Sequence, residues 1–168
     1  MRSRYSAIAL VFYCLLSPCL AQDMPVPPEL QVAIFKKVFN YDKTIPGGAP
    51  KMLVVFTDAS AAVKDQVVKA FKDSGITVNA AKADQLAGAL EGVNVLYLAP
   101  GVTGTKQVCQ KNGILSITGV PSLVDSGEAS VGLAVLDNRP KIVVNLGRLK
   151  VEGHDMSANL LQLAKIIQ

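Results

Sequence analysis

Short apolar runs separated by helical periodicity constrain this chain more than anything else in it. Lys51-Met52-Leu53-Val54-Val55-Phe56, Val93 to Leu98 (VNVLYL) and Ile114 to Thr118 are of strand length and carry few polar positions. A strand exposed on one face alternates polar and apolar residues, so a continuous run marks a strand covered on both faces. Between the runs the period changes. Ser60 to Asp73 reads as a helix with Val63, Val67, Ala70 and Phe71 inward, closed by Gly75 in the usual post-helix place. Ile76 to Val78 reads as a short strand, and Asp84 to Leu90 as a short helix with Asp84 as its N-cap. A further helix spans about Thr105 to Lys111. Strands alternating with helices in this way specify βαβ units and a mostly parallel sheet.

The two ends add different elements. From Glu29 to Tyr41, Leu30, Ala33, Ile34, Val38 and Tyr41 recur at helical spacing, and Phe35 and Phe39 widen the stripe. Pro46-Gly47-Gly48 then breaks the chain. Near the other end, Val131–Leu136 and Lys141–Leu146 flank the turn signal Asp137-Asn138-Arg139-Pro140 and predict an antiparallel hairpin. A loop holding Gly147, Gly153 and the single histidine leads to a closing helix with Leu160, Leu161, Ala164 and Ile167 as its stripe. The expected object is a single, three-layer-like α/β domain over residues 29–168. It has a mostly parallel sheet, an antiparallel hairpin as its edge and a C-terminal helix.

The first twenty-one residues read as a leader, not as part of the fold. Arg2 and Arg4 precede an apolar run from Ala7 to Leu16, and Pro18-Cys19-Leu20-Ala21 supplies small residues before a cut ahead of Gln22. The run falls short of the roughly 20 apolar residues that a membrane span requires. A retained anchor and lipidation at Cys19 are the alternatives, the latter opposed by Pro18. Cleavage leaves 147 residues, lowers the net charge from +4 to +2, and removes Cys14 and Cys19. Residues 22–28 (QDMPVPP) read as a flexible lead-in. With Cys109 alone remaining, no intramolecular disulfide can form. That thiol is either a buried small hydrophobe, the preferred reading, or a free group able to pair between two copies. Lys36, Lys64, Lys82 and Lys111 are scattered among acids, which argues against the concentrated basic face of a nucleic-acid binder.

Chemistry-bearing patterns are sparse. One histidine beside Asp155 and near Glu152 falls short of three favourable metal ligands; the simpler reading puts His154 and Asp155 at a helix start, with Asp155 capping it. No G-x-S-x-G elbow holds a serine, and Ser60 suits a helix cap. Cys109 could pair with His154 as thiol and imidazole, but its flanks Val108 and Gln110 lend no support. Neither catalytic residues, nor a cofactor, nor a metal is expected. The loop Pro100-Gly101-Val102-Thr103-Gly104-Thr105-Lys106 follows a buried strand and opens a helix, where backbone N–H groups favour anions. It lacks the spacing of a nucleotide P-loop. Gly101, Thr103, Gly104 and Thr105 are therefore a candidate ligand loop, sharing a strand-end rim with Asp58–Ser60 and Thr118–Ser122.

The stretch from Ile114 onward carries a resemblance. Ile114-Leu115-Ser116-Ile117-Thr118, then Gly127, Val131–Leu136, the turn at Asn138, Lys141-Ile142-Val143-Val144-Asn145-Leu146 and Met156-Ser157-Ala158-Asn159-Leu160-Leu161-Gln162-Leu163-Ala164 follow one another in an order that resembles the YfiR family of exported bacterial proteins. The opening helix and the two strands before Ile114 fit as well. Two departures stand out: Thr44-Ile45-Pro46 replaces a Trp-Pro that members often carry, and the disulfide-forming cysteines are missing. The resemblance implies a periplasmic regulator that represses or biases an inner-membrane signalling protein, such as a diguanylate cyclase, through its sensor domain, without being an enzyme. Such a regulator need only bind two states of its partner unequally. Phe35, Phe39 and Tyr41 on the first helix are the candidate contact surface, packing against the sheet being the alternative. A small-molecule-binding module built on the loop around Gly101 and Gly104 is the second functional reading, and an enzyme the third.

Overall fold

The computed structural model describes residues 24–45, 47 and 49–168; the expected leader, and Pro46 and Gly48 of the expected break, lie outside them. Met52, Leu53, Val54 and Val55 are all buried. The strand that carries them, β1 (Lys51–Phe56), is flanked by parallel partners on both sides, β2 (Thr77–Lys82) and β3 (Val95–Leu98). β4 (Leu115–Thr118) and β5 (Val131–Leu136) continue the parallel array. β6 (Arg139–Asn145) returns antiparallel to β5, and β7 (Lys165–Ile167) runs parallel to β6. The seven strands lie in the order β2-β1-β3-β4-β5-β6-β7.

Helices cover both faces, because alternate residues of the central strands are equally apolar. On one side α1 (Pro28–Tyr41) and α2 (Ala61–Asp73) bring Val32, Phe35, Val38, Phe39, Val67 and Phe71 against Met52, Val54, Val95, Tyr97, Leu115 and Ile117. The far side packs Cys109 of α3 (Lys106–Asn112) and Leu123 and Val124 of α4 (Pro121–Asp125) on Leu53, Val55, Leu96 and Leu98. Leu149 of α5 (Leu146–Val151) and Leu160 of α6 (Ala158–Leu163) join the first core.

The mostly parallel sheet, the single antiparallel pair and the C-terminal helix are as expected, and Gly75 does follow α2 in the left-handed region, at φ 85°. The differences have local causes. The hairpin does not form the sheet edge: α6 stops at Leu163, and Lys165–Ile167 add as a strand outside β6. The hairpin turn contracts to Asp137 and Asn138, both at positive φ (50° and 56°), so Arg139 and Pro140 become strand residues; this is the two-residue turn whose twist matches that of paired strands. β2 extends to Lys82, and a 3₁₀ segment over Ala83–Gly88 replaces the expected helix capped by Asp84.

Residues 24–28, within the expected lead-in, lie against the fold. Val26 is buried, and its carbonyl accepts from the Gln31 side chain at 2.7 Å. Burial of a β-branched side chain and a hydrogen bond inside the core dock this proline-rich segment.

Candidate functional site

The strand order places the topological switch point between β1 and β3, where ligands bind in open α/β sheets. The loops there are Thr57–Ser60 and Ala99–Thr105, and they abut: a Cβ on Gly101 would lie 3.8 Å from Thr57 Oγ1. Thr57 N–H donates to Ser60 Oγ at 3.0 Å, and Ser60 N–H donates to the Thr57 carbonyl, so Ser60 closes a capping box on Thr57; at the start of α2 its side chain makes no cap bond, unlike the helix-cap role expected of it. Asp58 pairs with Lys82 at 2.6 Å.

Of the candidate ligand loop, Gly101 and Gly104 adopt φ 81° and 78°, Thr103 is exposed and Thr105 is buried. The Gly104 N–H donates to Glu128 Oε2 at 3.0 Å, while Lys106 pairs with Glu128 Oε1 at 3.1 Å. The loop thus holds a carboxylate from its own chain where an incoming anion would sit. α3 begins immediately afterwards and is only seven residues long.

The aromatic candidates separate cleanly. Phe35 and Phe39 have no exposed surface and stack on each other at 6.3 Å, with Phe71 and Tyr97 completing the cluster. They pack against the sheet, the alternative that the sequence leaves open, and present no contact area. Tyr41 at the helix end is 39% exposed and is the member of the three available to a partner.

Three buried polar clusters escape local reading because their members lie far apart in sequence. In the first, Glu152 accepts from Ser116 N–H (3.1 Å), Ser116 Oγ (2.7 Å), Ser130 Oγ and Arg148 Nη2 (2.7 Å). Arg148 also reaches the Lys106 carbonyl at 3.2 Å. The group ties α5 to the starts of β4, β5 and α3. Cys109 lies close by: burial, then the negative charge of Glu152, pushes its thiol up to about 12. A buried, protonated thiol is a poor nucleophile, so Cys109 should resist alkylation until the protein unfolds, and apparent mass should be the same with and without reductant. A mass that halves on reduction would contradict this.

The second cluster corrects the expected capping role of Asp155. That residue pairs with Lys43 at 2.7 Å, and the side chain of Ser157, not Asp155, caps α6. His154 instead turns inward: Nδ1 lies 2.7 Å from Asp42 Oδ2 and 2.6 Å from Thr44 Oγ1. Thr44 donates to Asp42 Oδ1 from both its N–H and its hydroxyl. A carboxylate only accepts, so Nδ1 carries a proton toward Asp42. Burial pushes the Asp42 carboxyl up, but the hydrogen bonds from His154 and Thr44 and the charge of His154 outweigh it and hold the group below its ordinary 3.8.

A lowered folded-state value means that Asp42 stabilises the fold fully above the unfolded value near 3.9, and that this contribution disappears as pH falls through the lower folded value. Asp42→Asn should therefore cost about 1.5–3 kcal/mol near neutrality. The gap from the unsubstituted protein should narrow progressively in melts taken at pH values falling below 3.8. A gap independent of pH would contradict the assignment.

The third cluster lies under the N-terminal segment. The Tyr97 hydroxyl donates to Gln31 Oε1 at 2.8 Å, and the Met24 thioether is 3.4 Å from the same hydroxyl. Both Tyr97 and Gln31 are fully buried. A Cβ on Gly119 would come within 2.5 Å of Gln31 Nε2 and 2.8 Å of the Tyr97 hydroxyl, so the bare glycine makes the room these groups occupy.

Among the described residues no helix is long and apolar enough to cross a membrane, and no group of three or more His, Cys, Asp or Glu side chains could hold a metal ion. Two solved structures share the architecture. The ABC domain in complex with L-Trp from Streptococcus pneumonia matches with a TM-score of 0.62 at 11% identity, over 84% of this chain and 62% of that one. A conserved domain protein from Vibrio cholerae matches with a TM-score of 0.58 at 14% identity, over 84% and 60%. The chain thus spans about three fifths of the length of each, and at such identities the likeness concerns the fold alone. No curated protein matches the sequence. Residues 29–165 match the family described as YfiR/HmsC-like; the chain belongs to that family, whose members are periplasmic regulators.

Proposed function

We propose that this protein is an exported regulatory binding protein that acts by contact on an inner-membrane signalling partner, a diguanylate cyclase or another sensor. Family membership over residues 29–165 carries the reading. The site geometry agrees with it: the buried carboxylates Glu152 and Asp42 fasten elements of the fold together, and the loop at Gly104 is engaged by Glu128. A regulator of this kind works by binding two states of its partner with different affinity and needs a surface, not a reacting centre. Tyr41, exposed at the end of α1, belongs to the proposed contact surface.

In-cell crosslinking of the tagged protein in its native host, followed by mass spectrometry, tests the reading. Recovery of one inner-membrane sensor is expected, with less of it captured by Tyr41→Ala. A well-expressed, folded bait that recovers nothing overturns the proposal.

A further inference from the structure

The segment ahead of α1 is held in an unusual way. Residues 24–27 enter no helix and no strand, and side chains hold them: Gln31 Nε2 donates to the Val26 carbonyl at 2.7 Å, Val26 fills a fully buried hole, and the half-buried Met24 thioether lies against Tyr97 Oη and Gln31. Closing off a core requires only apolar surface. Here the fold buries an amide and a phenol, which is costly unless they are paired, and leaves Gly119 bare to make room for them. The result is one amide N–H aimed at a main-chain carbonyl, between a bed for an unbranched apolar side chain and a hole for a β-branched one. That combination recognises an extended apolar peptide: backbone by the hydrogen bond, side chains two positions apart by shape.

The geometry points to a peptide-recognition groove formed by Gln31, Tyr97 and Gly119, which residues 24–26 occupy in cis as a displaceable strap. Its occupant in trans is an extended segment of a partner protein with the same apolar pattern. The strap is built to leave. Pro25, Pro27 and Pro28 keep it extended whether docked or released. Its hinge is Pro27, whose carbonyl accepts the first bonds of α1 from Leu30 and Gln31, so release leaves the helix intact. A terminal-side segment outside the helices and strands, with no ladder hydrogen bonds, opens locally before the whole fold. The inference deepens the regulatory reading and rests on it only for who the partner is. Its test uses the isolated protein, so failure here leaves the crosslinking result standing, and the reverse.

The test is alkylation of Met24→Cys with iodoacetamide, in protein purified after export and read site by site by mass spectrometry. The buried Cys109 is the internal control for global unfolding and for correct folding of the variant. Cys at position 24, half-buried in the docked strap, should react at least about a hundredfold faster than the fully buried Cys109, and the effect of added peptide on that rate is what reports release. Millimolar peptide of sequence QDMPVPP should accelerate that reaction several-fold further by trapping the open groove, whereas QDMPDPP should not. Labelling of the two sites at one common rate overturns the strap. Fast labelling at position 24 that the peptide leaves unchanged overturns the groove as a site for a segment in trans.

Discussion

Replacing Glu152 with alanine is expected to lower the unfolding free energy by about 3–5 kcal/mol, read from urea melts. The carboxylate has no exposed surface and accepts from the Ser116 N–H, two serine hydroxyls and Arg148, whose side chain is itself 12% exposed. Removing it leaves a cation and three donors facing one another in the interior, which costs more than the pair gains by existing. Glu152→Gln should fall between, because its oxygen can still accept while its amide N–H groups face other donors. Glu152→Leu combined with Arg148→Met should recover much of the loss, since replacing both charges with apolar groups removes the orphaned partner. An alanine variant within 1 kcal/mol of the unsubstituted protein would show that the cluster is solvated.

Phe39→Ala should also cost about 3–5 kcal/mol, by deleting a buried ring and leaving a cavity among Phe35, Val38 and their neighbours. Phe39→Leu should cost less than half of that, because most of the volume stays filled. Any loss of partner capture in either variant should follow the loss of folded protein. Tyr41→Ala, on the surface, should shift stability by no more than about 0.5 kcal/mol and lower capture nonetheless. A Phe39→Ala protein that melts normally and fails only in capture would return this ring to the interface.

What could be read from the sequence depended on whether neighbours in space were also neighbours in the chain. β1, β3 and β4 were legible because parallel strands under helices are apolar on both faces. β2 was under-read: as an edge strand its TVNAAK buries Val78 and exposes Thr77, Asn79 and Ala80, too little contrast for a clear pattern. α4 and α5 are five and six residues long, shorter than two turns, so no period could announce them. Pro121 at the start of α4 and Asn145, whose side chain caps α5, were the available signals. The end of the chain misled in a specific way. Leu160, Leu161, Ala164 and Ile167 fit a helical stripe, yet pairing of Lys165–Ile167 with Val143–Asn145 outweighs it, as the β-branched Ile166 and Ile167 allow. Nothing local marks Gln31 as buried, because Tyr97 and Gly119, the residues it meets, are 66 and 88 positions away.

The clasp between Asp42 and His154 joins residues 112 positions apart. Around it Lys43 N–H donates to the Asp155 carbonyl and Ser157 N–H to that of Tyr41. During synthesis, or threading through a pore with the N-terminus leading, α1 stays without its lock until the residues around Ser157 emerge. β7 (Lys165–Ile167) follows the clasp residues closely in sequence, so the two events depend on neighbouring stretches of chain. Contacts of such long separation slow folding far more than they change its equilibrium. The clasp therefore sets an order of events: α1 is locked only after the residues around Ser157 are available to it.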